Sequence, residues 1–209
     1  MGERLFKSKS HNILATVFSA VYILSLVFDS GLSMVYFENF NTASLRYLIN
    51  TLFILALNAA APLVLVLAAL TSGKSRIIRK YIVPAGFGIR ALTALGLAFS
   101  SGELALLGSK NAIGIVLYIL VCLQGLAVIL MFIGTLFDLE YPALLKWGSI
   151  VFIAASAATD FTQFVVLGYR SFVVLGYWRM ITAEKLFGII ALILFHVAIL
   201  LISQKPKEE

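Results

Sequence analysis

The chain has 209 residues, of which 61% are hydrophobic and only 12% charged; its mean hydropathy is +1.02 and its formal net charge +6. A globular domain carries roughly half apolar and about a quarter charged residues, so this composition excludes an ordinary soluble domain and describes an integral membrane protein. Nucleic acid is excluded as a partner too, because Lys and Arg stand in short clusters beside apolar runs rather than over one polar surface.

Arg4, Lys7 and Lys9 precede an apolar run from Asn12 to Phe28. That run is longer than the ~7–15-residue core of a secretory signal, and no small-x-small cleavage site follows it, so the first span is expected to remain in the mature protein. A transmembrane helix takes about 20 residues, and six spans fit the apolar blocks: 12–28, 48–70, 81–101, 111–136, 147–167 and 183–202. The expected fold class is an all-α integral membrane protein, a single bundle of about six transmembrane helices forming one domain over residues 1–209. With spans alternating in direction, ten Lys and Arg residues fall on one side (Arg4, Lys7, Lys9, Lys74, Arg76, Arg79, Lys80, Lys146, Lys205, Lys207) and five on the other (Arg46, Lys110, Arg170, Arg179, Lys185). Positive residues are retained inside, so both termini and the loop Lys74–Lys80 are expected in the cytoplasm. The short loops suit a plasma membrane, and a prokaryotic cytoplasmic membrane best.

In the second span Pro62 follows Asn58 by four residues and is expected to kink or loosen the helix at mid-membrane. Cys122 stands alone in the fourth span, where a lone thiol behaves as a small hydrophobe. Tyr36, Phe37, Phe40 and Tyr47, and then Tyr169, Tyr177 and Trp178, form the aromatic belt expected at the outer interface. Two identical hexapeptides, Phe164–Tyr169 and Phe172–Tyr177, stand eight residues apart; the second reads either as a segment dipping back into the bundle or as a plain loop.

Two charges lie inside spans. An ionisable group in hydrocarbon costs at least ~2.5–3.5 kcal/mol on insertion scales, so it is paired, neutral or turned toward a polar cavity. Arg90 stands about 9 residues into the third span and Asp160 about 13 into the fifth, depths that differ by roughly 6 Å at ~1.5 Å per residue. An Arg90–Asp160 pair is the expected solution. Asn58, Gln124, Thr159, Thr162 and Gln163 fall near the same depth, while Ser149, Ser156, Asp160 and Gln163 form one stripe of the fifth span. On the third span Gly86, Thr93 and Ala94 share the face of Arg90, and Ala154, Ala155, Ala157 and Ala158 slim the fifth; both features are expected to admit close helix contacts.

This cluster has two readings. It is either a satisfied polar network that locks helices together, or a midplane site for a small polar or anionic solute or an ion, as transporters build. His11 and His196 share no helix with a second metal-type ligand at useful spacing, so no haem or metal site is expected, and His196 reads as a satisfied core histidine. No Ser-x-x-Lys, Gly-x-Ser-x-Gly or His-Glu-x-x-His pattern occurs, so no catalytic residue and no cofactor are assigned. The sequence thus points to a transport protein or the membrane subunit of one, with Arg90, Asp160, Asn58, Gln124, Thr159 and Gln163 as candidate binding residues. The alternative is a non-transporting scaffold or assembly subunit that binds other membrane subunits or lipid.

Overall fold

The computed structural model describes residues 9–38, 45–71, 77–108, 112–136, 142–163 and 178–202. They form six α-helices and, among the described residues, no strand: α1 (Lys9–Glu38), α2 (Leu45–Leu70), α3 (Val83–Gly108), α4 (Ala112–Leu136), α5 (Pro142–Gln163) and α6 (Trp178–Ile202). Five of them are long and apolar enough to cross a membrane, and α6 adds the shorter apolar stretch Leu186–Ile202. α1, α2, α3 and α6 run past the sequence-derived spans at one end or both and α5 does so at its start, whereas α4 matches its span to within one residue; hydropathy ends where polar residues begin, but backbone hydrogen bonding continues until the chain turns. Both copies of the hexapeptide repeat, the loop residues Lys74 and Arg76 and the belt residues Phe40, Tyr169 and Tyr177 lie outside the described residues.

Each helix packs on its neighbours in sequence, and α6 packs back on α1, so the six close into a ring in which, among the described residues, the α5–α6 contact is the smallest. Neighbours run antiparallel. Tyr22 stacks on Phe195 and Phe28 meets Phe187 edge-on, pairing rising numbers on α1 with falling ones on α6; Gly88 against Phe132 and Gly125 against Ala94 do the same for α3 and α4.

Helices in lipid gain little from burying apolar surface, so close packing of small residues holds them. Ala61, Ala68, Ala127, Ala191 and Ala198 are fully buried, while Leu24, Phe53, Leu92 and Phe99 are exposed on the outside. A Cβ added at Gly148 would stand 2.8 Å from the Ala127 carbonyl oxygen and 2.7 Å from Met131 Cγ; α5 meets α4 through that glycine. Gly86 does the same for α3 on α2, where an added Cβ would stand 2.5 Å from Val64 Cγ2.

The alanines of the fifth helix act differently from expectation. Ala155 is buried, but Ala154 and Ala157 are exposed, because a run of adjacent alanines necessarily spreads around the helix circumference. Thr93 departs too: its Oγ1 donates to the Ile89 carbonyl oxygen at 2.9 Å, and it faces a lateral groove of about 410 Å³ with Leu57, Ile89, Leu92, Gly96 and Leu97.

The two prolines inside the apolar spans sit differently in the backbone. The α2 helix continues through buried Pro62, which has no N–H for the Asn58 carbonyl four residues earlier. Ahead of α3 the residues Ile78–Ile82 form a π-helical turn, in which the Val83 N–H donates to the Ile78 carbonyl oxygen five residues back. Pro84 follows at once and cannot donate to Lys80, which favours the wider turn.

Candidate functional site

Arg90 is only 5% exposed. Its backbone belongs to α3, which packs chiefly on α2 and α4, yet its guanidinium reaches side chains of the other three helices. The guanidinium carbon lies 4.9 Å from the ring centre of Phe195 on α6, 5.0 Å from Phe152 on α5 and 5.5 Å from Tyr22 on α1. A cation held over aromatic faces within ~6 Å gains about 0.5–2 kcal/mol, most when desolvated. Nη2 also donates a long 3.5 Å hydrogen bond to the Tyr22 hydroxyl. The third helix is thus tied to three others across the ring interior by one side chain.

Asp160 is not among the partners of this guanidinium. The expected ion pair is absent among the described residues because α5 begins at Pro142 and Asp160 stands 18 residues into it, three from its end at Gln163, whereas Arg90 stands 12 residues past Ile78. Asp160 opens instead onto a cleft of about 170 Å³ between α1, α5 and α6, shared with Tyr22, Ser25, Asp29, Gly188 and Leu192. Ser25 Oγ donates to the Tyr22 carbonyl oxygen at 2.8 Å. Tyr22 therefore stands between the two charges: its ring and hydroxyl meet Arg90, and it also lines the cleft that holds Asp160.

The other sequence-derived candidates separate into distinct roles. Gln124 and Thr159 do come together: Gln124 Nε2 donates to Thr159 Oγ1 at 2.9 Å, and Thr159 Oγ1 donates onward to the Ala155 carbonyl oxygen at 2.8 Å. Every strong partner of that threonine hydroxyl is supplied, so the pair latches α4 to α5. Asn58 is half-buried on α2, a helix that packs on α1 and α3 and so stands apart from this latch. Gln163 closes α5, but its side chain lies outside the described residues. Ser149 is buried against α4, its Oγ 3.5 Å from Met131 Sδ.

His196 is fully buried, stacked on Phe152 at 4.9 Å and edge-on to Phe195 at 5.4 Å. Its Nδ1 lies 2.8 Å from the Leu192 carbonyl oxygen, so half of the satisfied-core expectation is met; its Nε2 is buried without a hydrogen-bond partner among the described residues. Arg90 Nη1 and Ser19 Oγ share that condition. No group of three potential metal ligands occurs among the described residues.

Sequence reasoning missed Tyr22, Phe152, Phe195 and Asp29. Aromatic residues inside apolar spans carry no signal of their own. Asp29 did carry one: Tyr22, Ser25 and Asp29 fall at i, i+3 and i+7, one helical face, but the hydropathy boundary at Phe28 placed Asp29 outside the span. Comparison with protein-family models, curated proteins and solved structures found no match to this chain.

Proposed function

We propose that the protein is a multi-pass plasma-membrane protein of six spans with both termini cytoplasmic, and that it moves a small polar solute or ion, alone or as the membrane-embedded subunit of a transporter. The ten-to-five division of Lys and Arg supports the orientation, which places the cleft at the outer half of the bundle. One observation carries the functional reading: Tyr22 both touches a buried guanidinium that has a donor atom without a partner among the described residues and lines a cleft that holds two acids. The ring contacts and one long hydrogen bond of Arg90 offset only part of the several kcal/mol that desolvating a guanidinium costs, and a solute supplies the rest of its partners.

The cleft between α1, α5 and α6 receives the solute, the Tyr22–Arg90 contact is the outer barrier, and Phe152, Phe195 and His196 close the path below it. The small α5–α6 contact is where the ring separates most cheaply. The lateral groove on α2 and α3 favours a second reading, in which a partner helix docks there and the chain serves as a scaffold; Gly96 lines that groove with nothing within 4 Å of an added Cβ.

Reconstitution tests the proposal. Labelled solutes should enter proteoliposomes containing the full chain and not those containing Arg90→Gln, while a stoichiometric partner co-purifying in mild detergent and no flux of any solute would transfer the case to the scaffold. Impermeant thiol labelling of Ser75→Cys from the outside of intact cells would overturn the orientation.

A further inference from the structure

The outward face of the Ile78–Ile82 turn and α3 is one stripe with a cation at its head. Tyr81, Ala85, Ile89, Leu92 and Gly96 follow one another at three- and four-residue spacing, which sets them on one side of the helix, and all five are exposed. Lys80 is exposed beside them, and its Nζ lies 5.9 Å from the centre of the Tyr81 ring, so the ammonium leans to the same side. Farther along, the stripe forms one wall of the lateral groove of about 410 Å³, with Leu57 of α2 opposite.

The two ends of this track demand different chemistry. In the groove Thr93 is the one polar side chain among the lining residues, and its hydroxyl donates to the Ile89 carbonyl oxygen within its own helix. An apolar occupant fits there and a polar solute does not. Lys80 calls for an anion: its end of the bundle carries Lys9, Arg79, Lys80 and Lys146 and, among the described residues, no Asp or Glu. Tyr81, 62% exposed, marks this level as the headgroup layer, where tyrosine is enriched.

The distance between the two ends matches half a bilayer. Ile89 and Thr93 stand 9 and 13 residues past Lys80, roughly 14 and 20 Å along the axis at ~1.5 Å per residue. From the headgroup layer to the midplane is about 20 Å, half of a bilayer of ~40–45 Å. A partner helix could fill the groove, but it would not bring an anion to Lys80 as well. One molecule with a phosphate at its head and an acyl chain as its tail brings both.

We propose that Lys80 and the α2–α3 groove form a site for one anionic phospholipid, its phosphate against Lys80 and Tyr81 and one acyl chain lying on Ile89, Leu92 and Thr93. Arg79 is the second cation of the same turn. With the orientation proposed above, the lipid belongs to the cytoplasmic leaflet, whose surface is negative. The site is independent of the transport reading, because it lies on the outer surface of the ring and uses neither Arg90 nor the acidic cleft.

The test uses the full chain carrying Leu92→Trp, Trp147→Phe and Trp178→Phe, reconstituted in phosphatidylcholine vesicles. Leu92 is 71% exposed, so a ring there reports what lies in the groove. Phosphatidylglycerol brominated on its acyl chains should quench that fluorescence with a relative affinity at least about fivefold above brominated phosphatidylcholine. Lys80→Gln should lower the ratio about fivefold, the worth of one basic residue at an anionic surface, and high salt should lower it too. Equal quenching by the two lipids, or a ratio unchanged in Lys80→Gln, would overturn the site. No quenching by either lipid would mean that a second copy or a partner helix fills the groove, which overturns it as well. If the triple variant does not fold, native mass spectrometry of the parent decides: preferential retention of one phosphatidylglycerol supports the site, and equal retention of the two lipids overturns it.

Discussion

Arg90 and Asp160 are both charges within apolar helices, and the protein accommodates them by opposite means. The guanidinium is enclosed by three aromatic faces and a tyrosine hydroxyl, while the carboxylate opens onto a polar cleft beside Asp29 and Ser25. The difference follows from the two groups. A guanidinium is planar, diffuse and weakly hydrated, so ring faces can replace part of its hydration; a carboxylate is repelled by those faces and needs donors or water. Tyr22 is the boundary between the two environments, with its ring in one and an edge of the other.

The largest expected effect breaks the enclosed side. Phe195 is fully buried, stacks on Tyr22 at 4.8 Å and faces Arg90, so Phe195→Ala should cost about 3–5 kcal/mol, read as a loss of thermal stability in detergent. A cleft substitution of similar cost would erase the contrast. Next comes the packing that holds the enclosed side in place: Gly148→Ala sets a Cβ against the Ala127 carbonyl, which cannot move as a side chain end can, and should cost about 1–3 kcal/mol.

Tyr22→Phe keeps the ring and removes the oxygen that Arg90 Nη2 reaches. It should cost about 0.5–1.5 kcal/mol; a change within error would mean that the long contact contributes nothing and that the rings alone hold the guanidinium. Smaller still is the coupling between the two charges. In a double-mutant cycle of Arg90→Gln and Asp160→Asn the stability effects should add within about 0.5 kcal/mol, as for residues that share no direct contact, and a coupling above about 2 kcal/mol would restore the direct pair. Ala157→Leu should change stability by less than about 0.5 kcal/mol, because Ala157 is exposed; a cost above 1 kcal/mol would return that face to the bundle interior.

The all-helical, apolar character of the chain, the singular character of Arg90 and Asp160 and the close approach at Gly86 were legible in the sequence, because each rests on the solvation of single residues or on local spacing, whereas the division of the fifth helix's alanines between interior and outside and the contact at Gly148 were not. Hydropathy alone requires the apolar helices, and an intramembrane charge declares itself wherever it lies. Which partner each charge takes was not legible. Arg90 meets Tyr22, Phe152 and Phe195, residues 68, 62 and 105 positions away, and that choice depends on helix rotation and on the exact start of α5, neither of which leaves a trace in composition. The same holds for His196: its Nδ1 bond lies within its own helix and follows from an i−4 spacing, but whether Nε2 finds a partner is decided by what α1, α3 and α5 bring to the other side of the ring. Local chemistry sets what each residue needs, and only the closure of six helices into one ring determines whether the need is met.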